Sequence, residues 1–390
     1  MAYGVGSSRY EENKRAVEDK YMGPLIKTIM TRCIQCTRCV RFITEVAGVD
    51  EIGAIGRGED MEITTYLEEA LHSELSGNVI DLCPVGALTS KPFAFTARPW
   101  ELEKTESIDV MDAVGTNIRV DSRGNEVMRI LPRLHEDVNE EWISDKSRFI
   151  WDGLRTQRLD RAYVRRDGRL VEASWDEAFK VVADKLNATA PERIGAIAGD
   201  LACTESMAAL KDLWARLGSP HIDARQDGAA IGGGPREGYL FNTTIAGIED
   251  ADAVLLIGTN PRWEAPLINS RLRKLYLRRV PIGLIGPAAD LTYPVDHLGA
   301  GPQTLREIAE GSHSFAQVLK DAERPMLIVG MGALTRDDGA AILALAARIA
   351  NDTGMLIAPQ GDGEGWNGFN VLHTAAARVA GLDLGLIPGD

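Results

Sequence analysis

The stretch Cys33–Cys39 reads CIQCTRC, and a fourth cysteine, Cys83, stands directly before Pro84. A [4Fe-4S] cube needs four thiolates, and a C-x2-C-x2-C loop can wrap three of them around one face. The fourth thiolate must then come from elsewhere, and in the bacterial ferredoxin pattern a proline follows that cysteine. The spacing therefore predicts one [4Fe-4S] cluster bound by Cys33, Cys36, Cys39 and Cys83.

Two other uses of these cysteines stay open at this stage. A structural zinc site usually takes its ligands as two separated cysteine pairs, which is not the spacing found here. Free cysteines can also pack as small hydrophobic residues. Packing alone would not explain why four of the five cysteines belong to one motif, with only Cys203 outside it. We expect Cys203 to be such a buried residue near a helix start. The uneven spacing does not fit a disulfide scaffold and indicates a reducing compartment.

The composition of the 390-residue chain excludes several classes of protein. Its 45% hydrophobic and 26% charged residues, with a mean hydropathy of -0.12, are typical of a globular protein with two or three domains. A net charge of -14 argues against nucleic acid as a partner, because phosphates would be repelled. No run of eighteen apolar residues occurs, so we expect contact with a membrane only through partner proteins. Hydrolase motifs and the P-loop are also absent from the sequence.

The sequence predicts an α/β multidomain chain with three regions, 1–103, 104–160 and 161–390. The first region is the cluster-binding domain. Its pattern predicts a helix over 15–31, interrupted near Pro24, and a short helix over 37–47. Two short strands are expected, over 51–55 and 61–66.

The two later regions differ in their periodicity. In the second, two alternating runs around a turn predict an antiparallel hairpin over 116–130 on a small β domain. In the third, apolar strands alternate with helices, which indicates a mostly parallel sheet covered on both faces. The strand candidates there are 194–198, 254–258, 282–286 and 326–330. A helix is expected after Thr204, and Gly218 is placed to end it.

Several stretches carry a family resemblance. They are MAYGVGSSRY (1–10), DKYMGPLI (19–26), TRCIQCTRCVRF (31–42) and NVIDLCPVGALT (78–89). They resemble the cluster-bearing large subunit of respiratory complex I, the proton-translocating NADH:quinone oxidoreductase, a family known in its mitochondrial form as the 75 kDa subunit. The resemblance extends along the whole chain, with the cysteines of the predicted cluster at the family's [4Fe-4S] ligand positions.

This resemblance implies an electron-transfer subunit that is not active alone. The cluster on Cys33, Cys36, Cys39 and Cys83 would relay electrons from NADH and flavin toward quinone. The implied partners are other peripheral-arm subunits, including the flavin-bearing NADH-binding subunit. The implied location is peripheral, on the cytoplasmic face of a bacterial inner membrane or the matrix side of the mitochondrial one. The family's [2Fe-2S] domain and its second [4Fe-4S] site have no counterpart in this sequence, which we interpret as a fragment that also lacks the C-terminal part.

The second and third regions resemble the start of a molybdopterin-dependent oxidoreductase large subunit, such as a formate dehydrogenase, with a doubly wound and here truncated α/β domain. That resemblance places Asp109, Asp112, Thr116 and Ser144 at the four ligand positions of a [4Fe-4S] domain, so no thiolate stands there. The alternative function implied by this resemblance is an independent molybdenum enzyme. Under the preferred interpretation as a complex I subunit, no molybdopterin is expected.

Glycine turns and histidines complete the candidate sites. Turns at Gly258, Gly286 and Gly330 follow predicted strands, where related enzymes hold dinucleotide phosphates. Such turns are common after parallel strands for backbone reasons, so we interpret them as structural. The six histidines have no metal-binding spacing, and we expect them at the surface or in packing.

Overall fold

A computed structural model describes residues 4, 6, 8–11, 15–358 and 365–388. The chain forms two compact units, Met1–Glu101 and Leu102–Asp390. The division into three regions stays a prediction. Within the described ranges, no helix is both long enough and apolar enough to cross a membrane.

The first unit consists of short elements around the cysteine loop. Its strands and helices are β1 (Ile26–Thr28), α1 (Arg38–Arg41), β2 (Ile52–Ile55), β3 (Glu62–Thr65), α2 (Asn78–Leu82) and β4 (Leu88–Ser90). A π-helical stretch, Phe42–Ala47, continues α1, and the predicted helix over 37–47 is thus confirmed. β1 pairs antiparallel with β4. The two predicted strands are confirmed as β2 and β3, which pair antiparallel with each other.

The predicted helix over 15–31 is wrong. This segment is irregular up to β1 and then makes a single 3-10 turn, Met30–Arg32. Its polar groups bond across the segment itself at spacings that a helix does not use, because Thr28 Oγ1 donates to the Lys20 carbonyl at 2.7 Å and Asp19 accepts from the Met30 N–H at 2.8 Å. Together with the hydrogen bonds between β1 and β4, these contacts outweigh a local helical pattern.

The second unit begins with a small antiparallel sheet. Its elements are β5 (Glu103–Ile108), β6 (Asn117–Arg123), β7 (Glu126–Pro132) and α3 (Asp145–Phe149). The strand order is β5-β6-β7, which confirms the predicted hairpin. Gly124 makes its turn at a φ of +60°, a conformation that glycine adopts at little cost. Ile118, Ile130, Ile143 and Trp151 form the buried core beneath the sheet.

The rest of the second unit alternates strands and helices. Its strands are β8 (Ala162–Arg166), β9 (Arg169–Ala173), β10 (Gly195–Ile197), β11 (His221–Asp223), β12 (Ala253–Ile257), β13 (Ile282–Ile285), β14 (Asp296–Gly299), β15 (Pro325–Gly330), β16 (Leu356–Ile357), β17 (Trp366–Asn367) and β18 (Phe369–Leu372). Its helices are α4 (Trp175–Asn187), α5 (Thr204–Leu217), α6 (Pro261–Glu264), α7 (Pro266–Leu277), α8 (Pro302–Ala309), α9 (Ser314–Asp321), α10 (Met331–Leu334), α11 (Gly339–Asp352) and α12 (Arg378–Asp383).

A five-stranded parallel sheet in the order β14-β13-β12-β15-β18 forms the centre of this region. All residues of β12 and β15 are buried, which is typical of a parallel sheet covered on both faces. The predicted parallel sheet is thus confirmed. The predicted strand at 194–198 exists as β10, but it pairs with β11 in a separate two-stranded sheet. α5 follows Thr204 as predicted and ends at Gly218, which has a φ of +70°.

Candidate functional site

Four cysteines, Cys33, Cys36, Cys39 and Cys83, line one cavity in the first unit. Its empty space, including the open mouth, is about 380 Å³. Pairing of β1 with β4 holds the segment before Cys33 beside the segment after Cys83. The structure therefore brings together the four side chains that the motif predicted as one site.

The backbone around these cysteines directs donors at the sulfur atoms. Gln35 and Thr37 have φ values of +50° and +59°, so the loop turns back on itself between cysteines. The Gln35 N–H donates to Cys33 Sγ at 3.4 Å, and the Leu88 N–H donates to Cys83 Sγ at 3.4 Å. Such hydrogen bonds favour the thiolate over the thiol, and they are one factor that sets the potentials of iron–sulfur clusters.

The sulfur atoms lie close enough to influence one another electrostatically. The pKa of the Cys39 thiol is raised to about 11, chiefly by burial and to a smaller extent by the three other thiols of the cavity, while a hydrogen bond from the Val40 N–H lowers it. Four thiolates in this position would repel one another, so they need a cation among them. Metal binding supplies that positive charge and releases the thiol protons.

The donor set fits a cluster better than a single ion. Thiolates are the protein ligands of iron–sulfur clusters, and four of them line the cavity. Among the described residues, no three His, Cys, Asp or Glu side chains are placed to hold one metal ion.

Three arginines near the cysteines differ in their surroundings. Arg38 lines the cavity. Arg41 forms an exposed ion pair with Glu45, with Nε and Oε1 3.0 Å apart, which offsets its charge. The Arg32 guanidinium lies 5.9 Å from the centre of the Phe95 ring. All three arginines are close to the cysteines in sequence, and that closeness alone did not show that their surroundings differ.

Cys203 lies outside this site. It occupies the position before α5, and its sulfur lies 3.0 Å from Ser206 Oγ. The expectation of a buried packing residue is wrong, because Cys203 is exposed. The helix places its apolar face, with Met207 and Trp214, against the core, and the preceding residue stays outside that face.

The four polar residues of the cysteine-free β domain are buried, namely Asp109, Asp112, Thr116 and Ser144. Ser147 Oγ donates to Asp109 Oδ2 at 2.5 Å and lies 2.9 Å from Ser144 Oγ. Lys146 Nζ lies 3.1 Å from Asp112 Oδ2 and donates to the Glu264 carbonyl at 2.9 Å. Burial raises the pKa of the Asp109 carboxyl. This network stands where the resemblance placed cluster ligands.

Sequence reasoning missed Ser147 and Lys146 as members of this network. Ser144 accepts a hydrogen bond from the Ser147 N–H as the N-cap of α3, at 3.3 Å. A serine three residues before a second polar residue is the signal of such a cap, and it would have pointed to Ser147. No comparable signal links Lys146 to Glu264, which is distant in sequence.

The glycine turns after the parallel strands pack against each other. A Cβ atom on Gly258 would lie 2.5 Å from the Ala333 Cβ, and one on Gly330 would lie 2.4 Å from the Thr259 Cβ. These turns need glycine for close packing. That requirement favours the structural interpretation over phosphate binding.

One buried polar group follows the sheet at the end of β18. His373 Nε2 donates to the Tyr239 carbonyl oxygen at 2.6 Å, and burial lowers the pKa of this histidine to about 4. The buried Arg378 lies nearby and pairs with Asp227 at 3.0 Å. His373 is thus a packing histidine, which is one of the two roles expected for the six histidines.

Three family models match the chain. Residues 158–390, more than half of the chain, match the molybdopterin oxidoreductase family. Residues 23–89 match the ferredoxin-like domain of NADH-quinone oxidoreductase subunit 3. Residues 102–152 match the 4Fe-4S domain described as NADH-ubiquinone oxidoreductase NDSU1/NuoG-like. Residues 23–89 and 102–152 are therefore similar to domains of iron–sulfur proteins.

Curated relatives match over nearly the whole chain. The G subunit of the NADH-quinone oxidoreductase of Rickettsia conorii is 54% identical over 98% of this chain and 56% of its own length. The mitochondrial NADH dehydrogenase [ubiquinone] iron-sulfur protein 1 of Solanum tuberosum is 55% identical over 100% of this chain and 52% of its own length. The chain therefore spans about half the length of these relatives.

Among solved structures, acetylene hydratase from Pelobacter acetylenicus aligns with 65% of this chain and 37% of its own, at 18% identity and a TM-score of 0.41. That similarity is too low to support an inference. The family models and the relatives agree with each other. The chain belongs to the molybdopterin oxidoreductase family by its longest matched region, and over nearly its whole length it is similar to the large iron–sulfur subunits of NADH-quinone oxidoreductases.

Proposed function

We propose that this chain is an electron-transfer subunit of a proton-translocating NADH:quinone oxidoreductase, passing electrons from NADH and flavin toward quinone. The observation that carries the proposal is the single cavity lined by Cys33, Cys36, Cys39 and Cys83. These four residues would hold one [4Fe-4S] cluster as its thiolate ligands. The cluster, when bound, supplies reversible one-electron transfer.

The chain's own residues would prepare this site in two ways. The backbone donors at Gln35 and Leu88 would stabilise negative charge on the sulfur atoms of Cys33 and Cys83. The apolar wall, which includes Met30 and Ile63, would limit access of water. Both factors influence the reduction potential of an iron–sulfur cluster.

Zinc is the main competing occupant of the four-cysteine site. Zinc binds four thiolates at about 2.3 Å from one central ion. The C-x2-C-x2-C spacing favours a cluster, as does the match of residues 23–89 to a ferredoxin-like domain. We therefore favour the cluster over zinc.

A molybdenum enzyme is the second candidate, since residues 158–390 match molybdopterin oxidoreductases. Two observations weigh against it. The region 102–152 has no cysteine, and the glycine turns at Gly258 and Gly330 are closely packed. We propose that the chain binds no molybdopterin, and that its [2Fe-2S] and second [4Fe-4S] partners in the relay lie outside this sequence.

The expected partners are peripheral-arm subunits of the same oxidoreductase, including the flavin-bearing NADH-binding subunit. Nucleic acid is not among them, because the chain carries a net charge of -14. We place the protein on the cytoplasmic face of a bacterial inner membrane, or on the matrix side of the mitochondrial one. It would be peripheral there, held through other subunits.

The proposal is tested by reconstituting the purified chain with iron and sulfide. Dithionite should bleach its visible absorbance, while NADH should not be oxidised with any acceptor. The chain has a relay site, but its one G-x-G-x-x-G spacing, 363–368, leads into the strands β17 and β18 and not into the helix that a Rossmann fingerprint opens. NADH turnover by the isolated chain, or a reconstituted chain that dithionite leaves unchanged, would contradict the proposal.

A further inference from the structure

The first cysteine of the site follows a single 3-10 turn, Met30–Arg32. The Cys33 N–H donates to the Met30 carbonyl at 2.9 Å, so the turn sets the position of this cysteine directly. The Met30 side chain is buried and lines the cavity. Just before the turn, the Ile29 N–H donates at 2.8 Å to the Ala87 carbonyl, on the segment that carries the fourth cysteine. The geometry of the site therefore depends on where this turn lies.

The start of the turn takes its hydrogen-bond acceptor from a distant residue. Met30 is the first residue of the turn, and N–H groups at the start of a helical turn have no partner within it. Ile29, at the N-cap position, supplies no side-chain acceptor. Asp19 supplies one from eleven residues earlier, with Oδ1 2.8 Å from the Met30 nitrogen. A hydrogen bond to a charged acceptor is stronger than one between neutral groups.

The segment that carries Asp19 is fixed to the rest of the first unit. The Thr28 hydroxyl donates to the Lys20 carbonyl at 2.7 Å, which ties the segment to β1. The Lys20 ammonium lies 3.1 Å from Glu62 Oε2 in β3. Asp19 itself is exposed, so these bonds hold it against the turn, and burial does not.

We propose that Asp19 is a positioning residue for the four-cysteine site, because its carboxylate holds the Met30–Arg32 turn and thereby Cys33 in the position that a cluster needs. The inference rests on the proposed cluster. Asp19 does not line the cavity and acts only through the Met30 N–H. Groups that orient metal ligands from behind raise the affinity for the metal, so the chain should keep its cluster longer.

The alternative is that Asp19 acts through its charge alone, which would lower the reduction potential of the cluster. Asp19→Asn separates the two roles, since the amide keeps an Oδ1 acceptor for the Met30 N–H and removes the charge. Asp19→Ala removes both. A role of the charge predicts the same behaviour for the two variants, whereas a positioning role predicts that only Asp19→Ala is impaired.

The experiment uses the full chain reconstituted with iron and sulfide, with excess bathophenanthroline disulfonate as the iron chelator. The rate of iron loss is followed by visible absorbance for Asp19→Ala and Asp19→Asn. The matched control is Glu18→Ala, which removes the same charge from the neighbouring exposed residue. Hydrogen exchange of the Met30 amide in the iron-free chain reports on the turn itself, and midpoint potentials are measured for each loaded variant.

We expect Asp19→Ala to lose iron about tenfold faster than the unmodified chain, which is the effect of one hydrogen bond to a charged group. Exchange of the Met30 amide should accelerate by a similar factor. Asp19→Asn should stay within about threefold of the unmodified rate, because asparagine and aspartate cap a turn almost equally well. Glu18→Ala should stay within about twofold. The two Asp19 variants should share one midpoint potential, since both lack the charge.

A milder pair of variants decides the case in which Asp19→Ala takes up no cluster. Thr28→Val removes the bond to the Lys20 carbonyl while keeping the shape of the side chain, and it should speed iron loss about threefold. Thr28→Ser restores the hydroxyl and should restore most of the unmodified rate. Circular dichroism establishes that each variant is folded.

Three outcomes would overturn the inference while the proposed function stands. One is a loaded Asp19→Ala chain with the iron-loss rate and the Met30 exchange rate of the unmodified chain. Another is equally rapid iron loss from Asp19→Ala and Asp19→Asn, which would assign the effect to charge. The third, where Asp19→Ala does not load, is an unchanged rate in Thr28→Val. An unmodified chain that takes up no iron would remove the proposed function and this inference together, and iron analysis before the chelator is added identifies that case.

Discussion

The two regions whose matched families carry ferredoxin-like or 4Fe-4S names differ in the side chains that they bring together. The ferredoxin-like region, 23–89, surrounds one cavity with four cysteine thiols. The 4Fe-4S-type region, 102–152, instead buries Asp109, Asp112 and Ser144 in a hydrogen-bonded network with Lys146 and Ser147. The fold of such a domain thus persists without cysteines when other polar groups satisfy each other.

The difference teaches that a matched domain name does not establish a cofactor. A cluster site needs thiolates around a cavity, and the first region has them. The second region has carboxylates and hydroxyls that are already hydrogen-bonded to protein atoms. Buried polar groups of this kind are stable only when they are paired. We therefore expect the two regions to respond differently to substitution.

The largest effect is expected from Cys36→Ser. A serine hydroxyl is a poor cluster ligand, so the variant should lose most of its visible absorbance or retain only a labile three-iron form. The fold should stay largely intact, because the side chain is exposed. Iron and sulfide analysis with absorbance spectra measures the loss. Cys203→Ala is the control and should keep the full signal; equal iron and sulfide in Cys36→Ser and the unmodified chain would refute the ligand assignment.

In the cysteine-free region, Asp112→Ala should lower the free energy of unfolding by about 2 kcal/mol, because it removes the buried carboxylate that pairs with the partly exposed Lys146 and accepts a hydrogen bond from the buried Val114 N–H. The cluster signal should not change. Denaturant titration followed by tryptophan fluorescence measures the effect. The control is Glu126→Ala, which breaks the exposed pair with Arg155 and should cost less than about 1 kcal/mol. Equal effects of the two variants would show that the network is not what stabilises this region.

The α/β region contains a buried histidine, His373, whose protonation makes the stability of the fold depend on pH. Because burial lowers the pKa of His373 from 6.5 to about 4, the unfolded chain binds a proton there that the folded chain excludes. Stability is therefore complete above pH 6.5 and falls as pH is lowered toward 4, by about 2 kcal/mol between pH 6.5 and 5. His373→Gln should remove that part of the slope in denaturation curves. An identical slope in the variant would place the acid sensitivity elsewhere.

The smallest effect is expected from Ser144→Ala. It removes the N-cap of α3 and one neighbour of Ser147, which should cost about 1 kcal/mol. Ser174→Ala removes the equivalent cap of α4 and serves as a comparison of a purely local cap. Thermal unfolding compares the two variants. A loss of iron from Ser144→Ala would mean that the polar region contributes to the cluster site after all.

Much of the fold followed from local patterns, and the failures have a common cause. Alternating runs predicted the β6–β7 hairpin, and short apolar runs predicted the buried parallel strands. The helix expected over 15–31 failed because Thr28 and Met30 bond to residues eight and eleven positions earlier in the same segment, and because β1 pairs with the distant β4. Such contacts leave no trace in a local periodicity.

The candidate site shows the same division. The cysteine spacing predicted the four residues that line the cavity, because a cluster motif constrains sequence directly. The exposed face around Phe95 had no sequence signal, since its position depends on the pairing of β1 with β4. The contact of Lys146 with the distant Glu264 carbonyl was equally invisible. A count of the charged residues in 27–44 and 82–100 would have been the nearest sequence signal for the basic surroundings of Phe95.

The most direct test of the central claim is a metal and sulfide analysis of the reconstituted full chain. We predict about four iron and about four sulfide ions per chain, which one [4Fe-4S] cluster contains, with no molybdenum. About eight iron ions would mean that the cysteine-free region also binds a cluster, and one zinc ion without iron would contradict the electron-relay account.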